Sequence, residues 1–417
     1  MNQSYGLDLD KLPGELTAML EALRSGSAGR ANAANGAGGS GQPQDRLPQH
    51  IPASDSGVLQ RASASPLPHI DWNQFMKLAR HHRVYPQIHA EAGGGLIPSD
   101  VLQALAGDCR RNTWRMLALG GELDRVCRSL AERGVRSLAL KGPALAQLLY
   151  GDVSLRTSKD LDILIPVADL ELTERLLQKL GYAADDPIPR GLGDWKWKIH
   201  HVAFTHPGTG IQIEVHWRLN GDIGKEPSFE TLWNARQPSA LSSAVHMPGD
   251  DHLFMYLVTH GARHGWFRLR WLADIDRMVR RGQDWAALVP LLRRYHALDQ
   301  AGQALVLAAA LLHTPIPRAL QPRLSAGRGP VLAARALGFI ADAVVLTTDP
   351  GAGDVSKDYK RYLFELKTTG QKWRYALTRL YPSFRDAKAV PLPKSLYFLY
   401  FPLRPFVWLW RQVRQQA

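Results

Sequence analysis

The chain has 417 residues, 45% hydrophobic and 21% charged, the composition of a globular fold with a well-filled core rather than of a disordered or fibrous one. Its two cysteines, Cys109 and Cys127, exclude a disulfide scaffold and a cysteine-based zinc ribbon and fit a reducing compartment. The formal charge of +13 is concentrated at one end, where residues 356–417 hold thirteen Lys or Arg against three Asp or Glu.

The opening MNQSYGLDLDKLPGEL has no apolar core of signal-peptide length, and no run of about eighteen apolar residues occurs, so a cytoplasmic location is expected. Residues 9–24 form a short amphipathic stretch. From Ser25 to about Pro66 the chain is rich in Gly, Ala, Ser, Pro and Gln. Such a segment buries too little apolar surface to offset its ordering entropy, so 1–66 reads as a short helix plus a disordered linker. Helical spacing returns at 71–82, 98–112 and 114–134, the last with an apolar stripe of Trp114, Leu117, Leu123, Val126 and Leu130. These segments make 67–135 a helical N-terminal part.

At Arg136 the pattern changes. RSLAL (136–140) reads as a short strand, followed by a helix that Gly142 and Pro143 open. LDILI (161–165) is a second strand, a helix spans 168–180, and HHVAFTH and IQIEVHW form a hairpin around PGTG. A mixed sheet over 136–247 is thus expected, then helices over 248–346 and a basic, aromatic-rich region over 356–417 that begins with a helical block at 356–381. The fold class is α+β: a small mixed β-sheet core embedded between N-terminal and C-terminal helical regions.

The chemistry concentrates between Leu140 and Trp217. In KDLDILI, Asp160 and Asp162 are two apart and leave one face of the strand, while Leu161 and Ile163 leave the other. Adjacent carboxylates raise each other's pKa unless a cation compensates, and Mg²⁺ prefers such oxygen ligands together with substrate phosphates. Glu214, between Ile213 and Val215, repeats the pattern. If its strand neighbours the first, the three carboxylates can hold one or two metal ions, a pair standing about 3.5–4 Å apart. Upstream, Gly142 lets a phosphate approach a helix N-terminus, and Lys141, Arg156 and Lys159 offer countercharge. The assembly points to phosphoryl or nucleotidyl transfer.

This arrangement resembles the DNA polymerase β-type nucleotidyltransferase superfamily, and more closely the bacterial family of uncharacterised nucleotidyltransferases. The matching features are Leu140-Lys141-Gly142, Tyr150, Arg156, the run Asp160 to Ile165, Gly181-Tyr182 and Glu214-Val215-His216-Trp217. The run from Asp251 to Met278 looks like that family's helical half, so the resemblance covers roughly residues 70–345. It implies a Mg²⁺-dependent transfer of a nucleoside monophosphate from an NTP, ATP first among them. Asp160, Asp162 and Glu214 are then metal ligands, and Lys141, Gly142 and Arg156 the phosphate side. Two departures from the superfamily stand out: the turn is Lys141-Gly142-Pro143 instead of Gly-Ser or Gly-Gly, and Gly142 to Asp160 is a long spacing.

Several residues near the site have ordinary readings. His216 shares the face of Glu214 and could orient a carboxylate or phosphate, whereas Trp217 reads as core. Lys196, Lys198, His200 and His201 read as a solvated loop beside the cleft. His260 and His264 are one helical turn apart without a third ligand in evidence, and Asp274 and Asp276 read as partners of Arg270, Arg277 and Arg280. The acceptor is open: a small molecule, a protein or an RNA end. Aromatics among cations in 390–417 suit an acidic partner or the anionic inner membrane surface as well as a helix packed on the protein's own core. Two rivals remain, a catalytically inactive relative that binds or scaffolds, and a basic nucleic-acid- or membrane-surface-binding protein.

Overall fold

A computed structural model describes residues 5–35, 70–91, 97–186, 190, 193–221, 224–346, 354–382 and 384–416. The first helix runs Gly14–Asn35, past the boundary expected at Ser25, because its Ala-rich second half is permissive for helix. The rest of the expected linker, 36–66, lies outside the described residues. Leu16, Met19, Leu20 and Leu23 are buried in the common core, and Arg24 Nε donates to the Leu311 carbonyl at 2.8 Å.

The helices expected at 98–112 and 114–134 are one helix, Ser99–Ala131, carrying both cysteines. At the expected boundary Asn112 donates to the carbonyls of Ser154 (2.7 Å) and Arg156 (3.2 Å), and the Thr113 hydroxyl donates to the Cys109 carbonyl one turn back. The buried stripe is also rotated from the expected one. Met116, Leu119, Leu123, Val126 and Leu130 are buried, whereas Trp114 and Leu117 are 75% and 52% exposed.

Five strands follow: β1 (Leu138–Ala139), β2 (Leu161–Leu164), β3 (Ala183–Ala184), β4 (His201–Thr205) and β5 (Gln212–His216), in sheet order β1-β2-β5-β4-β3. Only β2 and β5 pair in parallel; the hairpin β4–β5 and the outer pairs are antiparallel. Helices Pro143–Tyr150 and Leu170–Lys179 fall where the sequence puts helices, and Ile163, Ile213 and Val215 are fully buried beneath the sheet. A second, two-stranded sheet, β6 (Gln237–Ser239) with β7 (Ser242–Met247), was not foreseen; it packs on the long helix and on β1.

Beyond Pro248 the chain is helical, with Asp250–Arg263 and Leu269–Arg280 packed on each other and both on the almost wholly buried Leu298–Leu312. The block expected at 356–381 is two helices, Asp354–Glu365 and Thr369–Leu380, the second opened by a capping box of Thr368 and Gln371. In the last helix, Tyr400–Gln416, Tyr400 and Val407 are buried while Phe401, Phe406 and Trp410 are exposed. Among the described residues no helix is long and apolar enough to cross a membrane.

Candidate active site

The parallel register sets Asp162 directly opposite Glu214, and the hairpin register sets His216 opposite His201 and Glu214 opposite Ala203. With side chains alternating along each strand, Asp162, Glu214, His216 and His201 therefore share one face of the sheet. Asp160 immediately precedes β2 and lines the same cleft, of about 260 Å³. Its position is set by a clamped loop. Asn112 and Arg115 of the long helix bond the carbonyls of residues 154–159, Arg270 donates to the Thr157 carbonyl, and the Ser158 hydroxyl donates to the Asp160 carbonyl at 3.0 Å.

Asp162 is buried. Its Oδ1 meets Lys141 Nζ at 2.9 Å and His216 Nε2 at 3.2 Å, while Oδ2 is buried without a partner among the described residues. His216 Nε2 is also 3.3 Å from Glu214 Oε2. Burial alone raises both carboxyls, but Lys141 and His216 reverse it: Asp162 is held below the usual carboxylate range and Glu214 falls to about 2. The same attraction, working against burial, raises His216 and Lys141. The cluster is thus two carboxylates held by the Lys141 ammonium and by the shared His216 Nε2.

Lys141 therefore faces the carboxylates. Gly142, at φ 75 the N-cap of Pro143–Tyr150, is buried, and a Cβ there would lie 3.7 Å from the Asp160 carbonyl oxygen. Its left-handed φ, rather than crowding, demands glycine. Arg156 departs from the phosphate role expected of it. It is fully buried, outside the cleft lining, and grips Asp274 with Nε at 2.9 Å and Nη2 at 2.9 Å. Tyr150 donates to the same carboxylate at 3.0 Å. Tyr150 and Arg156 thus pin the sheet domain to helix Leu269–Arg280. Asp274 meets neither Arg270 nor Arg277, and Asp276 alone follows the expected local pairing, with Arg280 at 2.8 Å.

Further motif residues also hold structure. Tyr182 donates to Glu122 at 2.6 Å, and buried Trp217 donates to the Lys196 carbonyl at 3.1 Å. Lys198 reaches the Pro382 carbonyl at 2.6 Å and so ties the C-terminal region to the sheet. His200 and His201, expected in a solvated loop, line the cleft instead. With His216 they come within metal-binding distance of one another, but Arg263 lies 3.0 Å from His200 Nε2 and engages its lone pair. His260 and His264 stand against Trp271 in the cleft wall, His264 stacked on the indole at 5.2 Å. Four cations of the cleft, Arg83, Arg263, Arg268 and Arg270, were not foreseen as site residues, since they come from helices distant in sequence and carry no motif.

The buried histidines predict how stability depends on pH. Burial, foremost, holds His82 and His264 at about 3 and His201 at about 4, against an ordinary 6.5. The unfolded chain binds these protons below 6.5 while the folded one does not, so stability is lost as pH falls from there. His216 works oppositely: its stabilisation is present below 6.5 and is lost as pH rises through its raised value. Burial lowers His200 and His260 as well, so the lowered groups outnumber the raised one, and the urea midpoint should drop between pH 7.5 and 5, each fully buried histidine costing up to about 1.4 kcal/mol per pH unit. A midpoint equal or higher at pH 5 would contradict neutral, buried imidazoles.

The family model described as "Uncharacterised nucleotidyltransferase" matches residues 68–313. Among curated proteins no match is found. Among solved structures, an antigenic nucleotidyltransferase-like protein from Paracoccidioides brasiliensis aligns with 47% of this chain and 96% of its own, at 16% identity. Its TM-score of 0.26 is too low to carry an argument. The family match spans the long helix, the sheet with its three carboxylates and the helices that close the cleft, and the chain belongs to the family of uncharacterised nucleotidyltransferases.

Proposed function

We propose that this chain transfers a nucleoside monophosphate from an NTP, with ATP the first candidate, to a hydroxyl or phosphate acceptor. One observation carries the proposal: the register that sets Asp162 against Glu214 beside Asp160, in a cleft, with Asp162 Oδ2 buried and unpartnered among the described residues. That donor set fits a hard divalent ion. Asp160, Asp162 and Glu214 would hold Mg²⁺, one ion or two, which supplies charge neutralisation to the phosphates when bound.

In the reaction an acceptor oxygen bonds to the α-phosphorus, the bond from that phosphorus to the bridging oxygen breaks, and pyrophosphate leaves with the electron pair. Held at about 2, Glu214 is a poor proton acceptor and is suited to holding cationic charge. His201, held at about 4 by burial, is the stronger base of the two and faces the cleft 3.9 Å from Glu214, so it is the group we assign to take the acceptor's proton.

A second reading has one observation in its favour. Lys141 Nζ and His216 Nε2 already occupy Asp162 Oδ1, as they would in a binding or scaffold protein without turnover. Incubating the protein with each α-labelled NTP, Mg²⁺ and host extract separates the two. Label transferred by wild type and not by Asp160→Asn supports catalysis and reveals the acceptor's size class. No transfer with any NTP supports the inactive relative.

For the C-terminal region we infer an anionic membrane surface as partner. Trp373 and Phe406, 70% and 72% exposed, stand with Leu377, Phe398 and Phe401 among the basic residues of 356–417. Flotation with anionic but not neutral vesicles, lost in Trp373→Ser/Phe406→Ser, is the expected result. Equal recovery with both vesicle types would exclude it.

A further inference from the structure

Arg83, Lys159, Arg268 and Arg270 share the cleft with the three carboxylates, yet none of the four forms an ion pair among the described residues. They converge from separate parts of the chain. Arg83 ends helix Trp72–His82 in the left-handed conformation, φ 58. Lys159 adjoins Asp160, and Arg268 and Arg270 flank the first residue of helix Leu269–Arg280. Arg270 is buried, fixed through Nη1 to the Thr157 carbonyl, and its Nε has no acceptor among the described residues. Arg268 Nε is likewise buried without one, its guanidinium 5.1 Å from the Phe267 ring. Burial, with repulsion from Arg156 and Arg83, pushes Arg270 down to about 9.

Buried donors without acceptors and like charges without partners are costly on their own. Both costs are removed by one ligand chemistry, an oxyanion of high charge whose several oxygens are spaced along a chain. Guanidinium groups match such oxygens in pairs, and three guanidiniums with one ammonium exceed what a single orthophosphate can satisfy. We propose that Arg83, Lys159, Arg268 and Arg270 bind the polyphosphate of the donor nucleotide. This deepens the transferase reading and rests on it. It moves the phosphate side away from Lys141, Gly142 and Arg156, which hold the carboxylates, a turn and Asp274. The negative charge that develops on the leaving pyrophosphate falls in part to Arg270, already buried and fixed, where electrostatic stabilisation is strongest.

The test is calorimetric binding of inorganic tripolyphosphate, ATP and orthophosphate to the full chain at fixed ionic strength, without added metal. The variants are Arg268→Ala and Arg83→Asn, asparagine being chosen because it tolerates the left-handed conformation. Thermal melts confirm that each is folded, and Arg268→Gln replaces any that is not. Expected are binding of tripolyphosphate and ATP, much weaker binding of orthophosphate, and a roughly ten- to hundred-fold loss in each variant, the effect of one charge-assisted contact. Unchanged affinity in the variants, no tripolyphosphate binding, or orthophosphate bound as tightly would overturn the proposal. Failure of the transferase reading looks different: tripolyphosphate binds through the arginines, but no NTP label is transferred.

Discussion

Asp162→Ala is expected to abolish label transfer and also to destabilise the fold by about 3–5 kcal/mol, the usual result of stripping one partner from a buried ion pair. Lys141, its side chain 11% exposed, would be left with its nearest anion gone, and His216 would lose one of its two acceptors. Asp160→Asn should behave differently. Asp160 is only partly buried and makes no ion pair among the described residues, so stability should stay within about 0.5 kcal/mol of wild type. Transfer should nonetheless fall by about 10²–10³-fold or more, the scale for removing one preorganised electrostatic group. Chemical denaturation together with the label assay separates the two variants. An Asp162→Ala protein as stable as wild type would show that Lys141 and Asp162 are not a buried pair. An Asp160→Asn protein with full transfer would show that this carboxylate holds no metal.

The second large effect belongs to Arg156. Arg156→Ala is expected to cost about 3–5 kcal/mol, because it strands the Asp274 carboxylate in the core with only the Tyr150 hydroxyl beside it. Replacing the group together, Tyr150→Phe/Arg156→Met/Asp274→Leu, should recover most of that loss, since an apolar set of similar volume leaves no buried charge. Urea midpoints of the single and triple variants measure both. Were Arg156 a phosphate ligand, as its place in the motif implies, Arg156→Ala would keep its stability and instead raise the KM for the nucleotide.

Much of the site was legible because the chemistry lies on strands. An acid between two apolar residues, in Leu161-Asp162-Ile163 and again in Ile213-Glu214-Val215, states both the strand and the face of its carboxylate. The hairpin around PGTG states that β4 and β5 are neighbours. The pairing of β2 with β5 was an inference from carboxylates that needed a shared cation, and the register bears it out.

What escaped was set by tertiary contacts. Arg156 reads the same in sequence whether it meets a phosphate or a carboxylate, and Asp274 is 118 residues away. Arg83, Arg268 and Arg270 sit in helices whose local pattern only says that a cation is present. The expected boundary between 98–112 and 114–134 is not a helix end, and Asn112 there spends its amide on the carbonyls of the loop before Asp160. Trp114 and Leu117 were placed inward by hydrophobicity alone. Their exposure shows that one apolar stripe on a long helix can be drawn in more than one phase.

The central claim is that Asp160, Asp162 and Glu214 gather a divalent cation in one cleft, and anomalous diffraction tests it most directly. Crystals soaked in Mn²⁺ with a non-hydrolysable NTP analogue should show a peak among these three carboxylates, absent in Asp160→Asn/Glu214→Gln crystals. A cleft without a peak, or a peak held by the histidines with Asp160 and Glu214 turned away, would contradict it.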